Sequence, residues 1–128
     1  MAISARNVFA GTVSEIREGA VNAEVSLSIT GGDVIVATVT LDSLKALGLS
    51  VGKAVTAFVK APSVMVVTGD DSVCYSARNH LKGLVSELKT GAVNSEVVVK
   101  LAGGSEVKAI ITNDAVTDLG LVVGSAAG

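Results

Sequence analysis

The chain has 128 residues, 49% of them hydrophobic and 17% charged, with a formal net charge of -2 at pH 7. That balance fits a folded protein rich in apolar sequence and argues against the basic field expected of a nucleic-acid binder. The lone Cys74 excludes an internal disulfide, and it reads as a small buried apolar residue in a reducing compartment.

The sequence says nearly the same thing twice, at a constant offset of about 72 residues without insertion or deletion. Ser4-Ala5-Arg6-Asn7 returns as Ser76-Ala77-Arg78-Asn79, and Gly19-Ala20-Val21-Asn22 as Gly91-Ala92-Val93-Asn94. Each second motif is followed by a glutamate and a valine, Glu24-Val25 and Glu96-Val97. About 25 of the 56 positions that align in this way are identical, far above chance for two apolar β segments. One module has been duplicated. Units of about 60 to 70 residues lie near the lower limit for an independent core, so they are expected to gain stability by packing against copies.

In chain order, Val21, Ala23, Val25, Leu27 and Ile29 alternate with polar residues, the period of a half-buried strand; the copy reads Val93, Ser95, Val97, Val99 and Leu101. Both run into a glycine pair, Gly31-Gly32 or Gly103-Gly104, suited to the positive φ of a hairpin turn. The next strand is expected near residues 33 to 41, and again near 105 to 112. Asp42 and Asp114 then read as N-caps of a short helix ending at Gly48 or Gly120, each placed to take the left-handed position. Two further strands are expected in the first module, near 53 to 60 and 63 to 67, with Pro62 marking the break.

Five short strands with one helix between the third and fourth predict an all-β fold of two tandem OB-like β-barrel modules. The expected division is residues 1–68, a polar linker at 69–72, and residues 73–128. The second module stops at Gly128, which aligns with Thr56, so counterparts of Ala57 to Val67 are missing and an open edge is expected there. Either the natural chain continues or another chain covers that edge. An arginine at position 6, no apolar leader core and no run long enough to cross a bilayer predict a soluble, intracellular, cytoplasmic protein.

The chemistry is easier to exclude than to establish. His80 is the single histidine, no cluster stands at metal-ligand spacing, and Val8 fills the place of His80 in the first module. It reads as a solvated or interfacial histidine rather than a general base. No nucleophile–base pair recurs, and no phosphate loop is present.

What recurs is a set of donors without adjacent acids: Ser4, Arg6 and Asn7, with Ser76, Arg78 and Asn79. Hydroxyl, guanidinium and backbone N–H groups together can surround a small anion, and Lys60 adds a cation on an otherwise apolar strand. The bland alternative is a polar start to an edge strand.

The order of motifs resembles the Mop domain, and its duplication resembles the molbindins, tandem-Mop molybdate-binding proteins. The likeness covers almost the whole chain and rests on the two repeated motifs above, on Thr40-Leu41-Asp42-Ser43 and on Val59-Lys60-Ala61-Pro62. It implies a non-enzymatic homo-oligomer, a trimer of tandem chains, holding molybdate or tungstate at interfaces without an organic cofactor. By that resemblance Ser4, Ala5, Arg6 and Asn7 present donors to an oxyanion that also meets Thr40, Ser43, Lys60 and Ala61 from a neighbouring module. The second copy matches at Ser76, Ala77, Arg78, Asn79 and Thr112, and departs at Ala115, which has no hydroxyl. A second class of site on the symmetry axis is implied around Val21, Asn22, Val93 and Asn94, where the bland alternative is a tight turn before the strand.

Molybdate at neutral pH is an unprotonated tetrahedral dianion, which a donor-only site satisfies; hydrogen phosphate carries a donor it would leave unpaired. Sulfate, also unprotonated, must be rejected by size. The expected function is intracellular binding, storage or buffering of molybdate. Two other classes compete. An OB module for single-stranded nucleic acid needs stacking platforms, yet Phe9, Phe58 and Tyr75 are the only aromatics; a small enzyme needs a catalytic pair, and none is repeated.

Overall fold

The computed structural model describes residues 2–69 and 73–128; of the expected linker, Asp70, Asp71 and Ser72 lie outside the described residues. The first repeat forms β1 (Asn7–Glu18), β2 (Asn22–Ile29), β3 (Val34–Thr40), α1 (Leu41–Ala46), β4 (Ala54–Val59) and a 3-10 turn, Ala61–Ser63. The second forms β5 (Gly83–Thr90), β6 (Asn94–Leu101), β7 (Glu106–Thr112), α2 (Asn113–Leu119) and β8 (Ala126–Ala127). Each repeat gives one curled four-stranded sheet, a half-barrel, with strand order β3-β2-β1-β4 or β7-β6-β5-β8. The fold is mostly β with one short helix per module, as the alternating pattern predicts.

The period-two reading of β2 holds residue by residue: Ala23, Val25, Leu27 and Ile29 are buried, while Glu24, Ser26 and Ser28 are only partly covered. The hairpin glycines Gly31, Gly32 and Gly104 have φ of 88°, 90° and 97°, the region open to glycine. β1 and β5 carry the same irregularity in register, between Val13 and Glu15 and between Val85 and Glu87. Gly11 and Gly83 sit where any Cβ would run into the carbonyl oxygen of Ser28 or Lys100 on the paired strand.

Both helices begin two residues earlier than the aspartates imply. The N-caps are Thr40 and Thr112, whose hydroxyls accept from the backbone N–H of Ser43 at 3.0 Å and of Ala115 at 3.1 Å. Each threonine ends a strand in extended geometry with its oxygen turned to the third helical amide. Asp42 and Asp114 fall inside the first turn, where a carboxylate favours the positive end of the helix dipole. Gly48 and Gly120 take left-handed φ of 61° and 63° at the helix ends, as expected.

The expected strand at 63 to 67 does not form. Pro62 has no N–H to give to a ladder, and the chain tightens around it instead, with Ser63 N bonded to Lys60 O (2.9 Å) and Val64 N to Ala61 O (3.2 Å). Cys74 is exposed rather than buried: no strand forms between residues 73 and 82, so no sheet face is there to cover the thiol.

The contacts divide the chain into two compact units, one of Phe9–Ala57 and the other joining Met1–Val8 to Phe58–Gly128. The core of the Phe9–Ala57 unit is Val13, Ala23, Val25, Leu27 and Leu44, with Val39, Leu49 and Val55 against it. In the other unit the core is Val85, Val97, Val99, Leu101, Leu121 and Ala127, and Val66 of the first repeat packs on it. In that unit the 3-10 turn packs against β7, and Val67 exchanges two backbone hydrogen bonds with Gly128, at 2.8 and 3.0 Å. At Gly128 the edge is thus met by the first repeat's own tail. No helix among the described residues is long and apolar enough to cross a membrane.

Candidate functional site

The unit formed by Met1–Val8 and Phe58–Gly128 gathers most of the donor set: Ser4, Ala5, Arg6 and Asn7, Lys60 and Ala61, Ser76 to Asn79, and Thr112. The anchor is Asn7, 1% exposed. Its carboxamide Nδ2 donates to the carbonyl of Lys108 at 2.8 Å, and its Oδ1 accepts from the Lys108 N–H at 2.7 Å. A side-chain amide thereby satisfies two backbone groups on β7, the edge strand of its sheet. The carboxamide of Asn7 is therefore bound to β7.

One residue earlier, Arg6 Nη2 lies 3.7 Å from Glu96 Oε2. Glu96 is on β6 and pairs with Ile110 of β7, as Val98 pairs with Lys108. Arg6 and Asn7 therefore reach neighbouring positions on β6 and β7. Val98, on the face that alternation would leave open, is 1% exposed, so this face of the sheet is covered there.

Ser4 and the Arg6 side chain are exposed, and Ala5 is half-buried. Lys60 is exposed at the residue before the 3-10 turn, and Ala61 is buried at 1% with its backbone against β7's unit. This unit therefore contains three cationic side chains, Arg6, Lys60 and Arg78, two serine hydroxyls and a threonine hydroxyl from the expected set. Thr40 and Ser43 belong to the Phe9–Ala57 unit, where their hydroxyls bond to one another at 2.9 Å. In the second copy of the motif, Ser76 and Ala77 are exposed, as are Arg78 and Asn79. His80, next to them, stacks edge-on against Tyr75 with ring centres 5.4 Å apart.

The reading of donors without nearby acids needs correction. Glu96 stands beside Arg6, with a side chain only 17% exposed against 61% for the arginine. Sequence adjacency hid it, because the two residues are brought together by the fold. The signal was nevertheless present, since glutamate recurs at the same place in both repeats, as Glu24 and Glu96.

At the turns proposed for an axial site, Val21 and Val93 are each 71% exposed, and Asn22 and Asn94 are exposed at the strand starts. The turns are rigidly closed by Gly19 N to Asn22 O and Gly91 N to Asn94 O, both 2.8 Å. The second is braced further by Asn113, which sequence reasoning missed. Its Nδ2 donates to Gly91 O (2.9 Å) and its Oδ1 accepts from the buried Ser95 hydroxyl (2.5 Å). Leu41 occupies that place in the first repeat, so no polar brace of this kind is encoded there.

Elsewhere, Arg17 on β1 has a raised pKa, first through its 2.9 Å hydrogen bond to Glu15 and then through the charges of Glu15 and Glu24. Both partners of that hydrogen bond are exposed, so it adds little to stability. Among the described residues no group of three or more His, Cys, Asp or Glu side chains is placed to hold a metal ion.

Repeated half-barrels with a donor segment laid on a sheet edge define a tandem β-module protein. The chain belongs to the TOBE-domain family, with two copies of the domain matched at residues 3–66 and 75–127. It is 42% identical over 127 residues to the molybdenum transport protein ModE of Herbaspirillum seropedicae, covering 99% of this chain and 47% of that protein. To the molybdenum-pterin-binding protein MopA of Rhodobacter capsulatus it is 39% identical over 124 residues, covering 97% and 47%. The chain thus spans about half the length of these relatives.

Among solved structures, it resembles the cytoplasmic molybdate-binding protein ModG in a form with molybdate bound. The TM-score is 0.94 and the identity 52%, over 99% of this chain and 90% of that one. Half of the chain also matches MopII of Clostridium pasteurianum, at 43% identity and a TM-score of 0.50.

Proposed function

We propose that this chain binds molybdate, with tungstate as a close substitute, and that it stores or buffers the oxyanion in the cytoplasm without catalysing a reaction. The observation that carries this reading is the likeness, across nearly the whole chain at 52% identity, to a protein solved with molybdate bound. The donor set supports it: Arg6 and Lys60 supply positive charge, Ser4 and Thr112 supply hydroxyls, and Asn7 fixes the segment that carries three of the residues.

In this reading the repeats act as two modules, 1–68 and 73–128, in a homotrimer with oxyanions at its interfaces. The interface sites draw on Ser4, Ala5, Arg6, Thr40, Ser43, Lys60 and Ala61, and on Ser76, Ala77, Arg78, Asn79 and Thr112. The exposed Val21 and Val93, each beside an asparagine, suit close approach of copies around an axis, where Asn22 and Asn94 would converge on a further anion. No organic cofactor, membrane or nucleic acid enters this function.

The donors match an unprotonated dianion, and the Asn7–Lys108 tie that holds their segment to β7 favours discrimination by size. The test is calorimetric titration of anion-free protein with molybdate, combined with native mass measurement. Saturable binding by a trimer supports the reading, whereas a monomer that takes up no molybdate overturns it.

A further inference from the structure

We propose that Glu96 is an affinity-setting counter-charge: it competes with the bound oxyanion for Arg6 and keeps binding weaker than the donors alone would make it. This rests on the molybdate-binding reading above and adds to it a residue that lowers affinity.

The geometry separates two roles that a carboxylate beside an arginine can have. Held at 2.7–2.9 Å by paired hydrogen bonds, it orients the guanidinium. At 3.7 Å, the distance seen here, the charges attract but no hydrogen bond fixes direction. The contribution of Glu96 is therefore its charge. That charge is anchored, because the side chain is 17% exposed and rises from β6 between β5 and β7. Its partner is the more exposed member, at 61%.

Lys89, which pairs with Glu96 across the β5–β6 ladder, has its ammonium 3.4 Å from Glu87. An oxyanion that takes Arg6 must draw it from Glu96 and remain within reach of that carboxylate's field. A dianion feels twice the repulsion of a monoanion at the same place. Glu96 thus lowers affinity for molybdate more than for a singly charged tetrahedral anion of similar size.

The test compares wild type with Glu96→Gln, which keeps the shape and removes the charge. Molybdate and perrhenate, a tetrahedral monoanion, are titrated by calorimetry at low and high salt. The expected result is molybdate binding tighter by about three- to tenfold in Glu96→Gln, a smaller gain for perrhenate, and shrinkage of both gains in high salt. In an Arg6→Ala background the gain for molybdate should be smaller, since part of it acts through Arg6. Glu96→Asp, which withdraws the carboxylate by one methylene, is measured alongside. It should fall between wild type and Gln, and it carries the test should the Gln variant fail to fold.

A gain in affinity cannot arise from a damaged fold. If wild type binds molybdate and the folded variants bind it equally or more weakly, the counter-charge role is overturned while the proposed function stands. If wild type binds no molybdate, both fall.

Discussion

Asn7 and Lys108, 101 residues apart in the chain, pair as though they were neighbours in a β ladder, the carboxamide of one meeting the backbone N–H and C=O of the other at 2.7 and 2.8 Å. This places the start of the first repeat on the sheet of the second. Asn7→Ala leaves both backbone groups of Lys108 without these partners on a half-buried edge strand, and should cost about 1–3 kcal/mol of stability. Asn7→Asp should cost at least as much, because a carboxylate cannot donate to the Lys108 carbonyl. Urea unfolding of both variants checks this; midpoints equal to wild type would show that the contact is dispensable.

Gly83 has no room for a side chain against the Lys100 carbonyl, nor Gly11 against that of Ser28. Gly83→Ala and Gly11→Ala should each force the paired strands apart and lower stability by about 1–3 kcal/mol. Thermal melts read the effect. Unchanged melting in both would mean that the strands do not approach as closely as described.

The helix caps give a sharper comparison. Thr112→Ala removes the hydroxyl that accepts from Ala115 N and should cost about 1 kcal/mol. Asp114→Ala removes only a charge near the positive helix end and should cost about 0.3–1 kcal/mol at low salt, and less as salt rises. If the aspartate variant were the more damaged of the two in high salt, the cap would have been misassigned.

At the candidate site, Arg6→Ala should weaken molybdate binding by about 2 kcal/mol, the value of a charge-assisted donor, and Lys60→Ala should act in the same direction. Neither side chain is part of a core, so both variants should melt close to wild type. Unchanged affinity and stoichiometry in both would place the site elsewhere.

The sheet and its alternation were legible because a period of two over Val21 to Ile29, repeated over Val93 to Leu101, has few other physical solutions. The turn glycines were legible for the same reason, since left-handed φ at Gly31 and Gly104 leaves little choice of residue. The cap was misread because threonine and aspartate both serve as N-caps, and only strand geometry at Thr40 decides between them. The strand expected at 63 to 67 failed through Pro62, whose missing N–H outweighed the apolar run. The donor motif was visible as a repeat, but its neighbours were not. The proximity of Glu96 to Arg6, and of Lys108 to Asn7, is a product of long-range packing that local pattern does not encode.

The most direct measurement is displacement of bound molybdate by other oxyanions at fixed ionic strength. Tungstate, with the same charge and nearly the same shape, should displace it at comparable concentration. Sulfate should do so only weakly because it is smaller and meets fewer donors together, and phosphate should also do so only weakly, because it too is smaller than molybdate and its proton adds a donor to a set of donors. Displacement by phosphate as readily as by tungstate would mean a general anion patch and would contradict a dedicated molybdate site.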